Sequence, residues 1–373
     1  MGVTTRTRSS GSSRWAFASC ARPPPSTPPE GPASPREERE LTEPTRLCRP
    51  DGRLDPDAIG WSRRPLVRAN LRGHWPRKKR WDYWCVTTDT HVIAITYANL
   101  DYLGLADVWF REHASGREHH HPIAIPGAWG FAQSERVDDA RIFIDRLGLR
   151  LELRDEPEGT WLRFRSRRLG GGRLEGELFV ERPAGHETLS VVVPWSDRRF
   201  QLTSKHQCRP TRGELTLDGT RYAFGPDNHA FGCLDFGRGV WPFATTWNWA
   251  SASGLQGGRV VGLNLGGQWT DGTASTENAL VIDGRLHKIS EDLRFEYDRR
   301  DFSAPWRLST PSGAIELRFV PFHERASRIE LGLLRSEVHQ CFGHFEGSLR
   351  PADGPVVEVT ELLGWAEEHR ARW

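Results

Sequence analysis

"KRWDYWCVTTDTHVIAITYANL" (residues 79–100) and "TTWNWASASGLQGGRVVGLNL" (residues 245–265) decide the reading of the fold. Each starts on a W-[DN]-[YW] triplet, Trp81-Asp82-Tyr83 in one and Trp247-Asn248-Trp249 in the other. A polar turn follows in both, then an apolar run that ends in Asn99-Leu100 or Asn264-Leu265. Short aromatic and β-branched runs bounded by turn residues read as strands. Each segment is therefore expected to be a β-hairpin, and their likeness predicts two similar β units side by side.

The chain around them carries the same signal. "LRLELR" (149–154) alternates apolar and polar residues, as a half-buried strand does. "ELTLDGTRYAF" (214–224) and "ALVIDGRLHKI" (279–289) turn at Asp218-Gly219 and Asp283-Gly284, a pair suited to the positive φ angles of tight hairpins. "IELRFV" (315–320), "RIELGLL" (328–334) and "VVEVTELL" (356–363) read as further strands. No long amphipathic helix shows, and short helical turns are expected only near Gln133–Asp139 and Pro226–Leu234. A mainly antiparallel β protein of barrel or sandwich type follows.

The N-terminal stretch is different. "ARPPPSTPPEGPASPREERE" (21–40) cannot bury enough apolar surface to offset its ordering entropy. Residues 1–40 are expected to form a disordered, dispensable tail. Residues 41–66 read as an ordered strap rich in Pro and turn residues. The expected division is the tail 1–40, the strap and first β unit 41–210, and the second β unit 211–373.

Charge and cysteine content exclude several functions. The formal net charge is +2, and the only compact basic run, Arg77-Lys78-Lys79-Arg80, reads as a solvated strand start. A nucleic-acid binder would show a concentrated basic face. Cys20, Cys48, Cys85, Cys208, Cys233 and Cys341 form no C-x-x-C and read as reduced thiols. No apolar run reaches the length of a membrane span. "WAFASC" (15–20) lacks the apolar segment that should precede a cleavage site, so a cytoplasmic protein is expected.

The candidate site grows from the aromatic motifs. Trp241, Trp247, Trp249 and Trp269 could serve a core as well as a ligand. Trp247 and Trp249, two apart on a strand, share one side. Polar company favours a pocket: Arg238, Thr246, Asn248, Asn264, Gln268 and Asn278 occupy the same motifs. Apolar walls with a few convergent polar groups describe a small-molecule site. Asp271 and Glu277 are the candidate acids, since a carboxyl in a dry cavity has a raised pKa. Asp271 reads equally as a hairpin turn, and Glu277 as a solvated strand start. Asp235 and Arg238 read as a structural ion pair at a tight turn, or else Arg238 as an anchor for a ligand carboxylate or phosphate. His113, His119, His120 and His121 read as a solvated loop, because consecutive residues of an extended chain alternate in direction. G-x-S-x-G, phosphate-loop and H-E-x-x-H motifs are absent, and neither a metal nor a cofactor is expected.

Five stretches carry a family resemblance: "LCRPDGRLDPDAIGWSRRPL" (47–66), "KKRWDYW" (78–84), "LDFGRGVWPFATTWNWASASG" (234–254), "GLNLGGQWTDGTASTENALVIDGRLHKI" (262–289) and "YDRRDFSAPWRL" (297–308). Together they resemble the family catalogued as domain of unknown function 2804, over roughly residues 41–373. More distantly the chain resembles the hydroxyneurosporene synthase-like proteins. That resemblance implies two calycin- or lipocalin-like antiparallel β-barrels in tandem. It also implies a W-x-D motif lining the second half, here Trp269-Thr270-Asp271, with Gly272 where that group often has His. The expected function is binding of a hydrophobic or amphipathic small molecule, a lipid or isoprenoid, in a Trp-lined barrel pocket. The alternatives are a cofactor-free hydratase, isomerase or cyclase with a pocket carboxylate as acid, or a carbohydrate-active protein.

Overall fold

The computed structural model describes residues 37–167, 172–331 and 334–373. Over these residues the chain forms two curled antiparallel half-barrel sheets in tandem. The first runs, strand beside strand, Glu118–Pro126, Leu103–Glu112, His91–Asn99, Lys78–Thr87, Phe231–Val240, Arg199–Leu217, Arg173–Glu181, Gly159–Arg167, Leu149–Glu156 and Arg141–Arg146. Leu189–Ser196 pairs with Arg199–Leu217 and with the strap strand Gly60–Ser62. The second runs Arg285–Lys288, Ala279–Ile282, Arg259–Gly267, Ala244–Gln256, Val357–Arg372, Leu334–Leu349, Ile315–Leu331, Trp306–Ser309 and Arg294–Glu296.

The two quoted segments are hairpins, one in each sheet. Asp218-Gly219 and Asp283-Gly284 turn with φ angles of 49° and 85°, and of 50° and 80°, as their hairpins require. Each sheet closes on its own apolar core. Leu, Ile, Val and Phe from alternate positions fill the first, around Trp84, Ile95, Phe110, Leu151, Leu202 and Phe236. The second centres on Leu263, Leu280, Trp306, Leu317, Phe345 and Leu362.

Several expectations need correction. Gln133–Asp139 is irregular, and only Pro226–Asn228 is helical near the second site, as one 3₁₀ turn. The Phe231–Val240 strand takes the rest, because burial of every one of its residues, on both faces, outweighs local turn chemistry. "RIELGLL" contributes the end of one strand at Leu331 and the start of the next at Leu334. The division at 210/211 falls inside the Arg199–Leu217 strand, and the chain changes sheets between Val240 and Ala244. Most of the expected tail lies outside the described residues. Its last part is not idle: the Glu38 carboxylate pairs with the buried Lys288 ammonium at 2.6 Å. Cys48, Cys85, Cys208, Cys233 and Cys341 are buried, unpaired thiols. No described helix is long and apolar enough to cross a membrane, a statement that leaves β-barrels aside.

Candidate functional site

Strand alternation gives each sheet two faces, and the site forms where the outward faces meet. On Lys78–Thr87, Trp84 and Val86 point into the first core, while Lys79, Trp81, Tyr83 and Cys85 point toward the second sheet. Register then aligns outward residues in rows. Lys79, Gly239, Gln201 and Val193 form one, Trp81, Gly237, Thr203 and Val191 the next, and Tyr83, Asp235, Lys205 and Leu189 the third. Gly237 is required, because a Cβ there would collide with the Trp81 indole.

The second sheet answers with its own rows. Val338, His369 and Trp247 align, then Gln340, Glu367, Trp249 and Gly266, then Phe342, Trp365, Ser251 and Asn264. Gly266 leaves the space that the Glu277 carboxyl fills. The aromatic motif is therefore neither barrel core nor barrel lining. It packs between the two sheets.

Lys205 ties the faces together. Its ammonium lies 3.0 Å from Asp235, 3.1 Å from Glu277 and 4.3 Å from the centre of the Trp249 ring. Glu277 also accepts the Trp269 indole N–H at 2.6 Å. Asn264 accepts the Trp249 indole N–H at 2.8 Å and donates to the Glu277 carbonyl at 2.6 Å. Glu367 accepts from the Trp247 indole at 3.1 Å and from the Gln340 amide at 3.0 Å. That amide also reaches the Tyr83 hydroxyl at 3.2 Å.

Burial sets the protonation of this group. It pushes Glu367 up to about 7, with Lys205 opposing and Asp235 reinforcing the rise. Glu277 is raised for the same reason, less the pull of Lys205. Burial alone would lower Lys205, but Asp235 and Glu277 more than offset it and hold the ammonium charged. His369, whose ring lies 4.0 Å from that of Trp247, falls to about 3 and is neutral. One buried cation thus lies among three carboxyls, and burial brings that of Glu367 up to about 7.

Beside these groups sits an aromatic cluster. The Trp241 ring contacts those of Trp81, Trp195, Trp247, Trp269 and Trp373 at centroid distances of 5.7, 4.8, 5.7, 5.5 and 5.8 Å. Trp241 and Trp269 are buried, whereas Trp81, Trp195, Trp247 and Trp373 are half-buried. Solvent therefore reaches one side of the cluster.

The sequence candidates divide accordingly. Trp241, Trp247, Trp249, Asn264, Trp269 and Glu277 meet at the junction. Asn248 does not, because it alternates with its two tryptophans and faces the second core. There it bonds Tyr297 at 3.0 Å and takes the Gln268 amide. Thr246 shares that side. Asn278 brackets backbone, accepting Gly266 N–H at 2.7 Å and donating to the Glu291 carbonyl at 2.9 Å. Asp271 lies on an exposed turn and accepts the Gln268 N–H, so the turn reading of that residue holds. Asp235 and Arg238 do not pair, because a spacing of three on a strand puts them on opposite faces. Arg238 bonds Asp82 at 2.9 Å beside a cleft of about 410 Å³ at the end of the first sheet's inner side. His119 and His121 are buried against Ser166, while His113, beside the Thr88 carbonyl, and His120, beside Asp107, are half-exposed.

Lys205, Glu367, Gln340 and Tyr83 escaped the sequence reading. The alternation in "WAEEHR" (365–370) puts Trp365, Glu367 and His369 on one face, which was the available signal. Lys205 stood out only as one of four lysines, in a run (200–208) that holds no other Lys, Arg, Asp or Glu.

Comparison with known proteins adds context. No curated protein matches this chain. A crystal structure of an AttH protein from Nitrosomonas europaea is similar, with 15% identity, 82% of this chain and 98% of that chain covered, and a TM-score of 0.48. Kievitone hydratase from Nectria haematococca is similar at 11% identity, with 79% and 88% covered and a TM-score of 0.45. CghA in complex with Sch210972 is similar at 11% identity, with the same coverage and a TM-score of 0.39. The family described as domain of unknown function (DUF2804) matches over residues 38–373, and this chain belongs to it.

Proposed function

We propose that the junction between the sheets receives an apolar or amphipathic small molecule, and that Glu367 protonates it. The observation that carries this reading is a carboxyl raised to about 7 by burial, directly under the indole N–H of the half-exposed Trp247. A group with a pKa near the working pH is suited to general acid catalysis. Perturbed carboxyls also cluster at functional sites.

Protonation of a carbon–carbon double bond moves the Glu367 proton to carbon and leaves a cation on the substrate. Trp faces stabilise such a cation, as Trp249 already does for Lys205. Water addition, or loss of a different proton, then returns a proton to Glu367. The class is a cofactor-independent hydratase, isomerase or cyclase. Glu277 and Asp235 do not take the acid role in this scheme, because both are committed to Lys205.

The test is exchange in deuterium oxide with a panel of apolar unsaturated compounds, read by mass spectrometry. Deuterium should enter carbon positions with the wild-type protein and not with Glu367→Gln. Equal labelling by both proteins would exclude Glu367 as the acid.

A further inference from the structure

The basic run at the start of the Lys78–Thr87 strand does not behave as a solvated strand start. Lys78 and Arg80 are themselves only partly exposed and pair with Asp101 at 3.6 and 3.3 Å. Lys79 is fully buried and lies on the junction face. Its ammonium makes only long contacts, 3.4 Å to the Leu100 carbonyl and 3.4 Å to the Tyr102 hydroxyl. It lies 4.5 Å from the Tyr102 ring centre and 5.4 Å from that of Trp373. Among the described residues no carboxylate pairs with it. An ammonium in this position is underpaid in hydrogen bonds, and burial brings it down to about 8.

Other donors surround it. Gln201, in the same cross-strand row, is fully buried, and its side-chain N–H₂ has no partner among the described residues. The Trp373 indole N–H is likewise buried without a partner. Arg77 lies 5.4 Å from the ring of Phe243, whose carbonyl accepts the Trp373 backbone N–H. Arg199 stands two residues before Gln201 on the same strand face, and burial and then the charges of Arg77 and Arg198 lower it. Nearby acids are already engaged: Asp101 by Lys78 and Arg80, and Asp197 by Arg53. This end of the junction is thus rich in donors and positive charge and poor in acceptors.

We infer that it is an anion-recognising mouth: the ligand carries an acidic head group held by Lys79 and the flanking Arg77 and Arg199, while its apolar body lies against Trp241, Trp247 and Trp373. The inference rests on the proposed small-molecule site and names its substrate class. An acid head fixed at the mouth points the apolar body inward past Trp247, toward Glu367. Buried donors without partners supply the specificity, since an uncharged analogue would leave them unmatched.

A matched pair of fluorescent probes tests it. Anilinonaphthalene sulfonate carries an anionic head, and phenylnaphthylamine is the same ring system without it. Wild-type protein should bind the sulfonate at least tenfold more tightly. Lys79→Met should abolish that advantage while retaining the neutral probe, and Arg77→Met, at the more exposed rim, should reduce it. Trp373→Leu should weaken both probes. Displacement of the sulfonate by dodecanoate or by dodecyl phosphate then tells a carboxylate ligand from a phosphate one. Equal binding of both probes, or an unchanged advantage in Lys79→Met and Arg77→Met, overturns the anion mouth and leaves the aromatic site standing. Indifference of both probes to Trp373→Leu, or failure of both alkyl anions to displace the sulfonate, also overturns it. No binding of either probe overturns both readings together.

Discussion

The Lys205 ammonium sits 4.3 Å above the Trp249 ring, so a first-sheet cation rests on a second-sheet indole. The same ammonium holds Asp235 of its own sheet and Glu277 of the other. The contact between sheets is therefore electrostatic at its centre and aromatic around it. Burying such charges is costly unless each finds its partner.

Removing Lys205 should expose that cost. Lys205→Met leaves Asp235 and Glu277 facing each other without a cation, and the expected loss is about 3–5 kcal/mol in urea denaturation. Adding Glu277→Gln should restore part of it, because the two sites act as one unit. Additive losses would mean that the pair is not coupled.

Gly266 leaves the space that the Glu277 carboxyl occupies. Gly266→Ala should force Glu277 off the Trp269 indole at a cost of about 1–3 kcal/mol. A shift in tryptophan fluorescence should accompany it. An alanine variant with native stability and spectrum would show that the junction is loosely packed.

The pH dependence of stability should carry the mark of Glu367. Its folded pKa, about 7, lies above the ordinary carboxyl value of 4.5. The folded state holds the proton more tightly, so this contribution is complete below the ordinary value and is lost as pH rises through about 7. Melting temperatures of the wild type should fall more steeply across that window than those of Glu367→Gln. Parallel curves would contradict the raised pKa.

Truncation should separate the N-terminal stretch into two parts. Deleting residues 1–36 keeps Glu38 and its bond to Lys288, and the melting temperature should stay unchanged. Deleting residues 1–40 strands a buried ammonium. The drop should then be several degrees, on a scale of roughly 2–4 °C per kcal/mol. An equal effect of both deletions would remove the role given to Glu38.

What the sequence disclosed follows from the range of the forces involved. Hairpins at Asp218-Gly219 and Asp283-Gly284 are local, and local chemistry showed them. The match between Trp81 and Trp247 was also visible, because both triplets face the same junction. Partner choice was not visible. Asp235 and Lys205 are cross-strand neighbours separated in sequence by a bulge, the Thr220–Phe224 strand and a 3₁₀ turn, and register alone brings them together. Lys79 looked solvated beside three other basic residues, yet alternation turns it into the junction, while Lys78 and Arg80 share the opposite face of the strand. Asp271 drew attention through a motif, and the turn that carries it points away from the junction.

Infrared difference spectroscopy of the full chain across neutral pH reads the Glu367 proton itself. A buried protonated carboxyl gives a carbonyl band distinct from that of the carboxylate. Such a band is expected below neutrality, with its loss as the pH rises through about 7 and its absence from Glu367→Gln. A wild-type spectrum without that band, or one in which the band persists in the Gln variant, would contradict a protonated Glu367 beneath Trp247.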